Sequence, residues 1–296
     1  MKESKKSYLD VYNKHNATIH FFANPEWLNL IAENWDVLLY QKDDKTIALL
    51  PFCTKGNFVT NRIYLPDINF YQSIIFLDKD INQSDRNRIC IELFKQNSNY
   101  IKSYFKFLPE YSDIDLSNLK YKKETYTTYI IEQAYSINQL SKNHLRNINK
   151  AIQNKYTIEK STQLEDAYKI IQSTFTKQNI KSKIDYNTFE KINKFCSDKN
   201  CGNTLVCKNT EGKLLATLFY VEDNHTVYYL LSGFNVSYKN SGAMHYMLHQ
   251  LINQTIQGGK TFNFCGSSKK TIANFFKGFG AKNENLNIWT KSIFKI

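Results

Sequence analysis

The sequence predicts a mixed α/β protein, and three observations carry that reading. Hydrophobic residues make up 42% of the chain and charged ones 22%, the balance of an ordinary globular core rather than a disordered or collagen-like chain. Only 10 Gly and 4 Pro occur in 296 residues, too few for the many tight turns of an all-β sandwich or propeller. Apolar runs of strand length alternate with stretches of helical period. A chain of this size can bury roughly 75% of its unfolded surface, which leaves room for one large domain or two of moderate size. No apolar run reaches the length of a membrane span, so a soluble protein is expected.

Taken in order, Asn24-Pro25-Glu26-Trp27 opens a short helix, with Pro suited to its first turn. The runs WDVLLYQ (35–41) and TIALLPFC (46–53) read as strands around the turn pair Asp43-Asp44. After the apolar run SIIFL (73–77) comes the helical stretch NQSDRNRICIELFKQNSN, with Ile89, Leu93 and Phe94 at helix spacing, and then the strand IKSYFKFL. Residues 125–132 form a strand between the halves. The basic stretch 141–155 is a helix with Leu145, Ile148 and Ile152 on one face and Arg146, Lys150 and Lys155 elsewhere. Thr162 to Glu165 is a capping box opening a helix with Ala167, Ile170, Ile171 and Phe175, and Asp185 is an N-cap for YNTFEKINKFC. Strands occupy 203–209, 213–223 and 225–233, the last two joined across Asp223-Asn224. A helix over 241–259 ends at Gly258-Gly259; a strand over 261–266, a helix with a glycine stop (KKTIANFFKGFG) and a final strand (ENLNIWTKSIF) complete the chain.

Charge is unevenly placed. Net charge is +12, but residues 1–125 hold 17 Lys+Arg against 16 Asp+Glu, and residues 126–296 hold 22 against 11. The second half therefore faces an anionic partner: a phosphate-bearing cofactor, a nucleic acid or an anionic surface. Six cysteines lie apart without a C-x-x-C pair, which fits neither a zinc site nor a dense disulfide framework, and they read as reduced thiols of a cytosolic protein. The opening MKESKKSYLDVYNKHN has no apolar h-region, in keeping with a cytoplasmic location. Walker loop, G-x-S-x-G elbow and dinucleotide fingerprint are all missing, which argues against NTPase, serine hydrolase and dehydrogenase chemistry.

Several residues are candidates for a site. Asn240-Ser241-Gly242-Ala243 begins a helix directly after a strand, and amides at such an end can hold phosphate. Arg146, the only arginine of the second half, shares a helix face with Lys150, and the two could bind pyrophosphate or an RNA backbone. His245 and His249 have metal-compatible spacing, but no Glu-x-x-His and no third ligand accompany them, so no metal is expected. His144 reads as a surface residue. Tyr228 and Tyr229 must point to opposite faces of their strand. Asp185, Glu190 and Glu222 are bases by location only.

The ordered elements R-N-I-N-K-A (146–151), V-Y-Y-L-L-S-G (227–233), G-G-K-T-F-N-F-C-G (258–266) and F-F-K-G-F-G-A (275–281) resemble the Fem-like branch of the GNAT acyltransferases. The match is best over 125–296; in the first half, W-D-V-L, L-P-F and L-P-D-I-N-F-Y resemble a degenerate first domain. The resemblance implies two tandem GNAT-like domains, 1–124 and 125–296, each a mixed, mostly antiparallel sheet flanked by helices. It implies that Lys277 lies near the acyl donor, to stabilise an oxyanion or hold a donor phosphate. Tyr228 would protonate the leaving group. Asn263 stands where the family usually has an acidic residue, so it would orient an amine or a carbonyl rather than act as a base. Ser241, Gly242, Ala243, Arg146 and Lys150 would bind the donor.

The function so implied is N-acyl transfer from an acyl-CoA, acetyl-CoA first among them, to a small-molecule or peptide amine bound between the two halves, with no metal. One alternative is Fem-type transfer from aminoacyl-tRNA to a cell-wall peptide precursor; chain length and the lack of a heptad stretch count against it. Another is a non-catalytic module for nucleic acid or an anionic surface. Acceptor identity depends on loops such as Leu65 to Ser73, and neither it nor the oligomeric state can be read from the sequence.

Overall fold

The computed structural model describes residues 3–293 apart from 58, 79, 133, 178–183 and 267–268. Contacts divide the chain into one unit of Met1–Tyr126 with Asn285–Ile296 and a second of Thr127–Glu284. The division expected from the sequence keeps everything from 125 to the C-terminus in one domain. The final segment instead belongs with the first unit, because strand pairing, not chain order, decides membership.

In the first unit, α1 (Glu3–His15), α2 (Pro25–Ile31), β1 (Asn34–Lys42), β2 (Lys45–Lys55), β3 (Arg62–Tyr64), β4 (Ile75–Phe76), α3 (Gln83–Lys95) and β5 (Lys102–Lys106) succeed one another. Asn24 caps α2 through its Oδ1, which accepts the amides of Glu26 and Trp27. Asp43 and Asp44 both have positive φ, 51° and 60°, the backbone that a two-residue hairpin turn between twisted strands requires. Pro51 lies inside β2 without breaking it: β4 pairs with β2 at Ala48 and Leu49, β3 at Cys53 to Lys55, and Pro51 falls between the two.

The segment from Leu65 to Ser73 is knitted into this unit. Asn69 accepts the Trp27 indole at 2.9 Å. The Gln72 amide donates to the Lys106 carbonyl at 2.8 Å, and the Lys106 amide donates to Gln72 Oε1 at 3.0 Å. The Lys106 side chain is itself buried, its Nζ 4.1 Å from the ring centre of Tyr126 and 5.3 Å from that of Tyr71.

The chain passes to the second unit within β6 (Lys122–Ile131). Next come α4 (Lys142–Gln153), β7 (Thr157–Lys160), α5 (Leu164–Lys177), α6 (Tyr186–Asp198), β8 (Gly202–Lys208), β9 (Leu214–Glu222), β10 (Thr226–Phe234), α7 (Ala243–Gln257), β11 (Thr261–Asn263) and α8 (Lys270–Lys277). The final strand, β12 (Lys282–Ser292), pairs antiparallel with β5, which ties the tail to the first unit. In the second unit the strand order is β6-β11-β10-β9-β8-β7, antiparallel except for the parallel pair β10–β11. On one sheet face Ile148 of α4, Met247, Leu248, Leu251 and Ile252 of α7 and Phe276 of α8 close over Leu218, Val227 and Phe262. Phe219, next to Leu218 and so on the other face, meets Phe189 of α6 at 5.9 Å.

Three elements have no clear signal in the sequence, and each is weakly patterned. Of the α1 side chains, Tyr8 is the buried one; β3 is three residues long; and β7 (TIEK) is largely exposed. In α4 the buried face is His144, Ile148 and Ala151, and Ile152 is 52% exposed, so the helix is turned relative to the Leu145/Ile148/Ile152 stripe. The α7 start does not come directly after its strand, because a short 3-10 turn over Val236–Tyr238 intervenes. Among the described residues no helix is long and apolar enough to cross a membrane.

Candidate active site

The parallel pair β10–β11 is short. It runs from Thr226–Thr261 to Tyr228–Asn263, after which β11 ends and β10 continues to Phe234. Just past that parting, β10 carries a bulge: its register on β9 passes from Tyr229↔Tyr220 to Leu231↔Phe219, so Leu230 is the extra residue. A bulge leaves one amide out of the ladder and re-aims the strand. Past Tyr228–Asn263, β10 therefore runs on to Phe234 without β11 beside it, with the bulge at the start of that stretch.

Aromatic rings define one face of this place. Tyr229 meets Phe264 and Phe276 edge-on at 6.1 and 6.2 Å, Phe276 stacks on Phe264 at 4.4 Å, and Tyr129 lies 5.8 Å from Phe276. Phe276 is on α8, so these contacts seat the end of that helix over the parting strands. Lys277, the next residue, is exposed, and its Nζ stands 5.9 Å from the Tyr129 ring centre.

Alternation puts the two tyrosines in different surroundings. Tyr229 faces Phe264 and Phe276; burial pushes its phenol up to about 12, and it donates to the Ser232 hydroxyl. Tyr228 occupies the other face, is 1% exposed and donates to Asp223 Oδ2 at 3.2 Å, at the hairpin turn. The residue singled out from sequence is thus tied to a turn, and its neighbour stands at the parting strands.

Asn263 closes β11 and shapes the turn after it. Its Oδ1 accepts the Thr128 hydroxyl at 2.9 Å and the Cys265 amide at 2.7 Å, and Cys265 has φ +59°. The carboxamide therefore holds a tight turn. Asn263→Ala leaves two buried donors without their acceptor and is expected to cost about 2 kcal/mol in urea denaturation, whereas Asn263→Asp, which keeps an acceptor oxygen, is expected to retain most of that stability.

The start of α7 is backed by α4. Gly242 has φ +83°, and a Cβ there would lie 2.2 Å from the Asn147 carbonyl oxygen, so only glycine suits this crossing. The Ala243 amide donates to Ser241 Oγ at 3.3 Å, and Lys150 donates to the Asn240 carbonyl at 2.9 Å. Ser241, Gly242, Ala243 and Lys150 are therefore brought together. Arg146 lies one turn before Lys150, exposed, and donates to Asn143 of its own helix at 3.0 Å.

The expectation that His144 is a surface residue is overturned: it is 4% exposed. Its Nε2 donates to the Phe275 carbonyl at 2.9 Å, and its Nδ1 pairs with the Ser141 hydroxyl at 2.8 Å. Burial holds its pKa below the usual value. The His245 ring lies 4.7 Å away, and burial, then the neighbouring His144, lowers the His245 pKa to about 4. His249, one turn on, takes the Tyr135 hydroxyl on Nδ1 at 2.9 Å. These histidines pack helices. Among the described residues no group of three or more His, Cys, Asp or Glu could hold a metal ion. The His144 packing role is invisible in sequence because its partners, Phe275 and Gly278, lie more than a hundred residues away.

A mixed sheet with one parallel pair that parts beside a bulged strand, and a glycine-led helix after that strand, is the arrangement of the GNAT fold. Residues 141–277 match the family of acetyltransferase (GNAT) domains. The whole chain is similar to solved structures at low identity. FemX matches at 12% identity and a TM-score of 0.67, over 97% of this chain and 96% of that one. The C-terminal domain of a putative lysylphosphatidylglycerol synthetase from Agrobacterium fabrum matches at 10% and 0.60, over 97% and 92%. A tandem GNAT protein of the clavulanic acid biosynthesis pathway matches at 7% and 0.53, over 99% and 96%. No curated protein matches the sequence significantly.

Proposed function

We propose that the chain is an N-acyltransferase that moves an acyl group, acetyl in the first instance, from an acyl-CoA to an amine. The observation that carries this reading is the parting of β10 from β11 beside the Leu230 bulge, next to the glycine-led start of α7. Donor phosphates would lie against Ser241, Gly242 and Ala243, with Arg146 and Lys150 supplying charge. The acyl carbonyl would enter the parting, where the Leu230 amide and the Lys277 ammonium stabilise its oxygen as the amine attacks. Tyr229, protonated well past neutrality, would supply the proton that the leaving thiolate takes up and be restored by the proton that the attacking amine nitrogen gives up. Asn263 would keep the turn after β11 in shape, and Tyr228 would support the strand from its other face.

The test is a thermal-shift titration of the full chain with acetyl-CoA, with CoA and ATP as controls. A ligand at 100 times its dissociation constant adds about 2.7 kcal/mol of stability. A saturable rise with acetyl-CoA that ATP does not reproduce supports the reading, and Lys277→Ala should then abolish turnover without lowering the melting temperature. Equal shifts with every polyanion would overturn it. A second reading, transfer from aminoacyl-tRNA, is favoured by the 22 cations against 11 anions in residues 126–296 and by the Fem-like motifs. It predicts binding of charged tRNA that weakens steeply with salt, with no response to acetyl-CoA.

A further inference from the structure

Helix α6 ends in a backbone arrangement that presses two cysteines together. Asn200, just past the helix, has φ +51°. Its amide donates to the Ser197 carbonyl at 3.2 Å, and the Cys201 amide donates to the Cys196 carbonyl at 2.9 Å. These are the paired bonds of a Schellman C-terminus, in which the residue after the left-handed one folds back on the residue five positions earlier, usually as an apolar contact. Here both members of that contact are cysteine. This fold-back sets the Cys196 and Cys201 side chains side by side at the end of α6. All six cysteines are free; five are buried, and Cys201 alone is partly exposed.

We propose that Cys196 and Cys201 form a redox-active dithiol, a modification site at which an oxidant of the peroxide class closes a disulfide across the end of α6. The two thiols are unequal in the way such a reaction needs. Cys201 is the partly exposed member, and the adjoining Cys196 holds its pKa below that of an ordinary thiol against burial and the nearby Glu222 carboxylate. Cys196 is buried and correspondingly raised, first by Cys201 and then by burial. Cys53, Cys90 and Cys207 are pushed up to about 12 by burial and stay inert.

Atoms and electrons balance in two steps. The Cys201 thiolate attacks one peroxide oxygen and the O–O bond breaks, leaving a sulfenic acid on Cys201 and hydroxide, which takes up a proton to become water. The Cys196 thiol then gives up its proton and attacks the Cys201 sulfur; the S–O bond breaks, the hydroxyl takes that proton, and a second water leaves. Two thiols and one peroxide thus become one disulfide and two waters, and a dithiol reductant reverses the step.

The test is to treat the full chain with hydrogen peroxide, quench, denature and count reactive thiols, with intact mass and peptide mapping. The six free thiols should fall to four, the mass should drop by about 2 Da as two hydrogens are lost, a Cys196–Cys201 linked peptide should be found, and dithiothreitol should restore the thiols. Cys196→Ser should stop the reaction at a Cys201 sulfenic acid that dimedone traps, and Cys201→Ser should leave Cys196 unreactive. Persistence of six thiols, a disulfide between other cysteines, or over-oxidation of Cys201 with Cys196 still free in the native protein would overturn the proposal.

Discussion

Replacing Gly278 by alanine is expected to destabilise the second unit by driving a methyl group into a buried ring. Gly278 has an ordinary helical backbone, φ −64°, so the requirement for glycine here is one of space and not of conformation. A Cβ would stand 2.1 Å from His144 Cε1, 2.4 Å from Nδ1 and 2.6 Å from Nε2. The ring has nowhere to go. Ser141 and the Phe275 carbonyl hold its two nitrogens, and Phe279, His245 and Phe275 ring it at 4.5, 4.7 and 5.2 Å. Overpacking of this kind costs about 3 kcal/mol, read as a fall in the urea midpoint at unchanged slope. The double variant Gly278→Ala with His144→Ala should lose less than the sum of the two single losses, because the clash disappears with the ring. A Gly278→Ala protein as stable as the parent would show that His144 is not packed against the end of α8.

Stability is expected to fall as pH drops from about 6.5 toward 4, with His245 as the main cause. The sign comes from proton counting. Burial and the adjacent His144 lower the His245 pKa to about 4, against 6.5 for the free side chain, so between these values the unfolded chain binds a proton that the folded one refuses. Unfolding is then favoured by acid, and the contribution is fully lost only below the folded value. A gap of this size is worth about 3 kcal/mol. His144 and His249, both lowered by burial, act in the same direction. Urea denaturation between pH 7 and pH 4 tests this: His245→Gln should flatten the slope across that window, and an unchanged slope would exclude His245 as its source.

Both predictions depend on a cluster that no local pattern shows. The sequence places Ile148 on the inward face of α4 from helical spacing alone, and the structure agrees; it cannot place His144 there, because histidine is as common outside as inside and its partners sit at the far end of the unit. The hairpin across Asp223-Asn224, the Asp185 cap and the Gly258-Gly259 stop are legible for the opposite reason: each is decided by a few neighbouring dihedrals and hydrogen bonds. The order of motifs likewise marks the GNAT class, since R-N-I-N-K-A supplies the α4 backbone against which Gly242 packs and F-F-K-G-F-G-A supplies the glycine that accepts His144.

The sequence alone therefore determines the alternation of elements, the uneven charge and the class of fold. Which tyrosine faces the parting strands, where β10 bulges, that Asn263 holds a turn, that Cys201 folds back on Cys196, and that the last strand returns to the first unit are decided only by tertiary structure. The physical reason is distance along the chain. Periodicity and capping are local energies that a short window contains, whereas strand register, ring packing and a glycine made necessary by a distant side chain arise when segments far apart in sequence compete for the same space.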